Sequence, residues 1–97
     1  MVRNIDIVHA HRNAILELAA LHGARNVRLF GSTARGDSDV HSDIDLLVDM
    51  EPNRSLLDLG GLWMDLHDLL GVEIDLVTEN CLRPEMRERV LREARSL

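Results

Sequence analysis

Several residue types that build familiar classes of protein are scarce in this sequence. Its 97 residues include no lysine and no tyrosine, one cysteine, one tryptophan, one phenylalanine and two prolines. The single cysteine, Cys81, excludes an internal disulfide, and we interpret it as an incidental thiol of an intracellular protein. The shortage of aromatic residues predicts an aliphatic core, because Leu, Ile, Val and Ala supply nearly all of the 45% hydrophobic content.

Positive charge is also scarce. Eleven basic residues, all of them arginine, stand against 17 acidic residues, and the net charge is −6. Sequence-independent binding to DNA or RNA needs clustered Lys and Arg, so we expect no strong nucleic-acid binding. A nucleotide is compatible with this charge, because metal ions can neutralise its phosphates. Arginine suits bidentate phosphate contacts, although a compositional bias of the source genome would explain the absence of lysine too.

Long apolar runs are missing as well. No stretch approaches the roughly 20 apolar residues of a membrane-spanning helix, and polar residues interrupt the N-terminal apolar runs where a signal peptide would need continuity. We therefore expect a cytoplasmic protein with no membrane association. The length predicts a single domain over residues 1–97, small enough that a partner subunit could cover what the chain alone cannot.

Helix-like and strand-like patterns alternate along the chain. The predicted helices cover about 5–21, a short turn at 33–36, residues 56–70, and a segment that begins at 84. The predicted strands cover 26–30, 44–48 and 72–77, with a polar loop at 37–42. This order predicts an α+β (α/β) fold, a small mixed β-sheet with helices packed on one side. We expect the first two strands to be antiparallel and the second and third to be parallel.

Three aspartates on two of these strands predict a metal site. Because side chains alternate across a strand, Asp43 and Asp45 share one face, roughly 6.5–7 Å apart at Cα. Two carboxylates this close repel unless a cation lies between them, and Mg²⁺ binds carboxylates together with substrate phosphates. If the third strand lies beside the second, Asp75 joins them, and it either accepts the proton of an attacking hydroxyl or holds the metal that activates it.

A phosphate-binding turn is predicted at Gly31 and Ser32, which follow a strand directly. Glycine lets the backbone approach a phosphate closely, Ser32 adds a hydroxyl donor, and Arg35 could bind a triphosphate oxygen. Plainer interpretations stay open for each piece. A Gly-Ser pair after a strand is often just a turn, Arg35 could be a surface ion-pair partner, and the aspartates could belong to a solvated strand edge. The five histidines show no zinc-like spacing with Cys81, and we interpret them as surface or helix-face residues.

Taken in order, these pieces form a recognisable motif. The run from Gly31 to Val48, GSTARGDSDVHSDIDLLV, resembles the nucleotidyltransferase signature of the DNA polymerase beta superfamily. Its form, G-S-x-A-R-G followed by S-D-x-D-L, is similar to that of the small prokaryotic branch called minimal nucleotidyltransferases (MNT). The resemblance extends over essentially the whole chain, including E-I-D-L-V at 73–77 and L-R-P-x-x-R-x-x-V-x-x-E-A at 82–94.

The resemblance implies a polymerase-beta-like nucleotidyltransferase fold and a magnesium-dependent enzyme with ATP as substrate and two Mg²⁺ ions. Gly31 and Ser32 would bind phosphate, and Asp43 and Asp45 would hold both metals. Asp75 would hold one metal and accept the proton. Arg35 matches the family arginine, whose role is less defined, and Thr33 is a position where the family varies.

The same resemblance implies a protein partner. Minimal nucleotidyltransferases are typically encoded beside a HEPN-domain RNase toxin, which they neutralise as antitoxins by adding AMP to a tyrosine. This chain shows no second domain for an acceptor, so we expect a partner protein, in a homo- or hetero-oligomer, to supply the hydroxyl. Two alternatives stay open: a non-catalytic antitoxin that blocks the toxin by binding, and a nucleotidyltransferase acting on a small-molecule or RNA hydroxyl.

Overall fold

The computed structural model describes residues 3–36 and 43–97, so the predicted loop at 37–42 lies outside the described residues. The helices are α1 (Asn4–Ala10), α2 (Arg12–Leu21), α3 (Gly31–Arg35), α4 (Leu56–Leu70) and α5 (Pro84–Glu93), with a 3₁₀ turn at Glu79–Cys81. The strands are β1 (Ala24–Leu29), β2 (Ile44–Met50), β3 (Ile74–Val77) and β4 (Arg95–Ser96). Within this part of the chain, no helix is both long enough and apolar enough to cross a membrane.

The four strands form one mixed sheet in the order β3-β2-β1-β4. β1 is antiparallel to both β2 and β4, whereas β2 and β3 are parallel, as the connection through α4 predicted. The predicted fold class and strand directions are therefore confirmed. β4 was not predicted, because two polar residues carry no strand pattern of their own; they pair with Arg28 and Leu29 of β1.

Helix α4 matches its prediction at both ends. The Ser55 hydroxyl accepts a hydrogen bond from the Leu57 backbone N–H at 3.2 Å, and the Asp58 carboxylate accepts one from the Ser55 N–H at 2.9 Å. This reciprocal pair is a capping box, which satisfies two donors that a helix start would otherwise leave without partners. At the other end Gly71 adopts φ +69°, a left-handed conformation that favours glycine and ends the helix.

The segment predicted as one helix over about 5–21 forms two helices, so the prediction of a continuous helix was wrong. His11 separates α1 from α2, and its backbone (φ −110°, ψ 17°) leaves the helical region. Its ring Nδ1 lies 3.0 Å from the Ile7 carbonyl, which also accepts a hydrogen bond from the His11 backbone N–H at 3.2 Å. The apolar spacing continues across the break, with Val8 and Ile15 both fully buried, and spacing alone could not reveal it.

Strand β1 begins two residues earlier than predicted and contains a bulge. Its register with β2 shifts between Arg25 and Arg28, where Asn26 adopts φ +53°. The Asn26 amide donates a hydrogen bond to the Asp49 carboxylate at 3.0 Å, which stabilises this unusual backbone. A bulge interrupts the alternation on which strand prediction depends, so the start of β1 was missed.

The core has a large part and a small part on opposite faces of the sheet. On one face Ile44, Leu46 and Val48 pack with residues of α1, α2 and α4 and are at most 1% exposed. On the other face Leu47 packs with Phe30 and Val90 in a smaller cluster. The prediction of helices on one side therefore needs one addition, because α5 covers part of the second face. Asp45 and Asp75 belong to that second face by strand parity.

Candidate active site

The centre of the candidate site is a pair of aspartates on neighbouring strands. In the parallel register of β2 and β3, Asp45 lies directly opposite Asp75. Strands in a sheet lie about 4.8 Å apart, and residues in register project to the same face, so these two carboxylates are close neighbours. The predicted convergence of the two strands is therefore present. Asp45 is partly buried, whereas Asp75 lies on an edge strand and is exposed.

Asp43 is held beside this pair by a buried threonine. Thr33, fully buried in α3, accepts a hydrogen bond from the Asp45 N–H at 3.0 Å and donates one to the Asp43 carbonyl at 3.4 Å. One hydroxyl thus ties α3, which begins at the predicted Gly31-Ser32 turn, to both positions of the D-x-D motif. Sequence reasoning missed this role and took Thr33 for a freely variable position. A useful signal would have been a small hydroxyl residue directly after the Gly-Ser pair.

The carboxylates act on one another electrostatically. Burial raises the pKa of Asp45 to about 6, with the negative charges of Asp75 and Asp43 adding to the rise and Arg35 opposing it. Desolvation by the surrounding protein also raises the pKa of Asp75, although its side chain is exposed, and the charge of Asp43 contributes. The site therefore holds more negative charge than it can stabilise by itself, which is the condition that a bound cation relieves.

The donor set fits Mg²⁺ in its chemistry. Mg²⁺ takes oxygen ligands and usually binds one or two carboxylates plus substrate phosphates, rather than a complete protein cage. In residues 3–36 and 43–97, no three side chains of His, Cys, Asp or Glu are arranged to hold one ion. The three predicted ligands, Asp43, Asp45 and Asp75, therefore do not form a three-carboxylate metal group in this part of the chain, and metal binding by these residues stays a prediction.

Gly31 places the backbone of the predicted phosphate-binding turn against Asp45. It adopts φ +59°, in the left-handed region, and a Cβ atom built on it would lie 2.8 Å from Oδ2 of Asp45. The Phe30 N–H donates a hydrogen bond to the Asp45 carbonyl at 3.1 Å, which fixes the start of the turn. Glycine is therefore required here for two reasons, conformation and space. Ser32 follows on the first turn of α3 and is partly exposed.

Arg35 lies at the end of α3, where its charge reaches the cluster and lowers the pKa of Asp45. Its Nη1 atom is 3.3 Å from Oε2 of Glu93 on α5. The surface ion pair that we considered as the plainer interpretation is therefore present. It does not compete with a phosphate role, because a guanidinium carries five donors and can serve more than one acceptor.

Two of the histidines and the cysteine make local contacts that do not involve Asp43, Asp45 or Asp75. His22 bonds to Asp65 at 2.6 Å, and His67 stacks on Trp63 and pairs with Glu73 at 3.4 Å. Cys81 is exposed, with its Sγ atom 3.3 Å from the Thr78 hydroxyl. His41 lies outside the described residues. His22, His67 and Cys81 therefore have local partners outside the candidate site.

Comparison with known proteins decides the family. The model of the nucleotidyltransferase domain matches residues 11–97. The chain belongs to this nucleotidyltransferase family. Among its relatives is the protein adenylyltransferase MntA of Thermococcus cleftensis, 40% identical over 88 residues, which are 91% of this chain and 86% of that protein. The sequence-based recognition of a minimal nucleotidyltransferase is confirmed.

Solved structures agree with this assignment. A protein provisionally assigned as a minimal nucleotidyltransferase is 50% identical, with a TM-score of 0.86 over 96% of this chain and 95% of that one. A mutant of the toxin–antitoxin pair MntA–HpeT is 25% identical, with a TM-score of 0.71 over 89% of this chain and 70% of that one. This nucleotidyltransferase therefore shares its fold with a protein solved in a toxin–antitoxin context.

Proposed function

We propose that this nucleotidyltransferase is an antitoxin that transfers AMP from ATP to a hydroxyl, expected to be a tyrosine, of a cognate HEPN RNase toxin. The observation that carries the proposal is the in-register pair Asp45 and Asp75 beside the left-handed Gly31. The relative named protein adenylyltransferase supports AMP as the transferred group. The relative solved as MntA–HpeT supports a toxin as partner.

Each site residue has a role in the transfer. Two Mg²⁺ ions, when bound by Asp43, Asp45 and Asp75, would supply charge neutralisation and hold the attacking and leaving oxygens of an in-line displacement. Gly31 lets the turn backbone approach the phosphates, and Ser32 donates its hydroxyl. Arg35 adds a positive charge that opposes the negative charge of the triphosphate.

Asp75 is the proton acceptor in this scheme. The acceptor oxygen forms a bond to the α-phosphorus of ATP. At the same time the bond breaks between that phosphorus and the oxygen that bridges it to the β-phosphorus. Pyrophosphate leaves, and the hydroxyl proton passes to the Asp75 carboxylate. The exposed position of Asp75 on edge strand β3 leaves its carboxylate accessible to a hydroxyl on another protein.

The decisive experiment is co-expression with the HEPN protein, followed by intact-mass measurement of both chains. We expect the toxin to gain mass in multiples of AMP. Asp45→Asn should lower the transfer rate by at least about 10²–10³-fold, the usual cost of removing one preorganised electrostatic group. Asp75→Asn should lower it by about 10²–10⁴-fold, the usual contribution of a general base.

A matched control is Asp49→Asn, which removes an aspartate from the same strand and the same side by parity. Asp49 bonds to Arg28 at 2.7 Å rather than to the carboxylate cluster, so we expect transfer per folded molecule to be unchanged.

Full transfer by Asp45→Asn would show that the metal assignment is wrong. If an Asp43→Asn/Asp45→Asn double variant neutralises a toxin of unmodified mass, the chain acts by binding. Adenylylated RNA ends or small molecules would identify a different acceptor.

A further inference from the structure

A cavity of about 190 Å³ lies between α3 and α5, directly against the phosphate turn. Phe30 and Val90, both buried, provide apolar lining, and Gly31 forms part of the wall. Arg35 from α3 and Arg89 from α5 also line it. The cavity thus brings a second arginine, more than 50 positions away in the sequence, to the turn that the proposed function assigns to phosphate.

One carboxylate holds both guanidinium groups. Glu93 Oε2 lies 3.3 Å from Nη1 of Arg35, and Glu93 Oε1 lies 3.5 Å from Nε of Arg89. These three side chains carry a net positive charge, which Glu85, the fourth charged residue of the cavity, balances over the cavity as a whole. The side chain of Arg89 is 70% exposed, and a guanidinium has further donors beyond the one bonded to Glu93. Arg89 can therefore offer donors to a ligand without leaving Glu93.

The charge of this segment differs from that of the chain as a whole. Residues 82–97 hold five arginines and three glutamates, so the segment is positive, although the chain carries a net charge of −6. Glu85 also lines the cavity and disfavours an anion near it, so the anion is expected beside Arg35 and Arg89.

We propose that Arg89 binds the distal phosphates of the nucleoside triphosphate from the α5 side, and that Glu93 positions Arg89 and Arg35 for this contact. The inference rests on the proposed function, since it takes the substrate to be a nucleoside triphosphate. The volume supports phosphate groups rather than a whole nucleotide, because pockets that enclose drug-sized ligands measure about 300–1,000 Å³. Glu93 acts through the arginines and is a positioning residue.

The test is calorimetric binding of ATP, ADP and AMP, each with Mg²⁺, to the full chain and its variants. Arg89→Gln should weaken ATP binding about tenfold and leave AMP binding unchanged, because only the distal phosphates lose a charge-assisted contact. Arg89→Lys should recover part of the affinity, since it keeps the charge without the fork. In transfer assays Arg89→Gln should raise KM for ATP far more than it lowers kcat.

Arg87→Gln is the matched control on the same helix. Arg87 pairs with Glu79 at 3.3 Å and does not line the cavity, so its removal changes net charge equally without removing the proposed contact. ATP affinity should be unchanged in this variant. An equal loss in both variants would reduce the effect to net charge and overturn the inference. An equal loss of ATP and AMP affinity in Arg89→Gln would place the nucleoside in the cavity and overturn it too.

Glu93→Gln tests the positioning role. It should weaken ATP binding about threefold, and in this background Arg89→Gln should cost less than its usual tenfold, because coupled residues are non-additive. Full additivity, or tighter ATP binding in Glu93→Gln, would overturn the positioning role. Melting temperatures should be unchanged, since these side chains are not part of the buried core.

If the wild-type chain binds no ATP, the proposed function itself fails. If it binds ATP and modifies the toxin while Arg89→Gln behaves like wild type, only this inference fails.

Discussion

The two faces of strand β2 differ in composition and in purpose. One face carries Ile44, Leu46 and Val48, all at most 1% exposed and packed against three helices. The other carries Asp45 and Leu47, so a carboxylate replaces an apolar residue where α5 covers only part of the sheet. The first face of the strand is therefore purely core, whereas the second combines a carboxylate with the buried Leu47. A substitution at Ile44, Leu46 or Val48 should affect stability, and one at Asp45 should affect the chemistry of the candidate site.

The face of β2 that carries Asp45 is electrostatically the less favourable of the two. Burial and neighbouring charges raise the pKa of Asp45 to about 6, which means that the folded chain disfavours the ionised form that a metal requires. The hydrophobic cluster on the face that α1, α2 and α4 cover contains no ionisable group among its described residues. Functional sites commonly cost stability in this way, and the surrounding core must offset that cost.

The largest loss of stability should come from a substitution in the core between the sheet and helices α1, α2 and α4. Leu66 on α4 is 1% exposed, and Leu66→Ala should lower the free energy of unfolding by about 2–5 kcal/mol, through lost burial and the cavity left behind. Leu57→Ala on the same helix is the control, because Leu57 is 88% exposed and its loss should change stability by less than about 0.5 kcal/mol. Urea denaturation measures both. The transfer rate per folded molecule should be unchanged, and a large fall would contradict the separation of the faces.

A pair of glycines tests how closely the phosphate turn depends on its neighbour. Gly31 and Gly71 adopt similar backbones, φ +59° and φ +69°, so alanine at either should cost about 1–2 kcal/mol of stability through left-handed strain. Only the Cβ at position 31 would meet Asp45, at 2.8 Å, whereas the one at Gly71 meets nothing within 4 Å. Gly31→Ala should therefore lower transfer at least tenfold while Gly71→Ala leaves it unchanged. Equal activity in the two variants would show that the Asp45 contact is unimportant.

Local signals made one part of this molecule predictable. Ser55 and Gly71 mark the ends of α4 by their own chemistry, and strand parity grouped Asp43 with Asp45 before any fold was known. The parallel crossover then brought Asp75 to the same place. Each of these inferences needed only neighbouring residues or one rule of chain connection.

Other features depend on contacts between distant parts of the chain. The sequence does not show that Glu93 bonds to Arg35, 58 positions earlier, or that Thr33 links the two halves of the motif. The break between α1 and α2 at His11 is also hidden from the sequence, because the apolar periodicity continues across it. Such features follow from how elements pack, which is where sequence patterns stop being informative.

The smallest predicted change in stability is that of Asp45→Asn, and it distinguishes most clearly between the two faces of β2. Asp45→Asn should abolish most activity, yet it should stabilise the metal-free protein at pH 7. The rise in pKa from 3.8 to about 6 corresponds to about 3 kcal/mol at 1.36 kcal/mol per pH unit. Because solvent reaches the partly buried carboxyl, we expect about 1 kcal/mol in urea denaturation with EDTA present.

The pH dependence fixes the sign of this effect. The folded-state pKa of Asp45 lies above its unfolded value, so the protonated carboxyl favours folding below about pH 3.8. That contribution is lost as pH rises through about 6. The advantage of Asp45→Asn should therefore be full above pH 6 and vanish towards pH 3.8. Mg²⁺ should reverse the order at pH 7 by stabilising the wild type alone, because a cation relieves the repulsion among the carboxylates. A variant that is less stable than the wild type in EDTA would show that Asp45 contributes to the fold, and that the two faces are not separate.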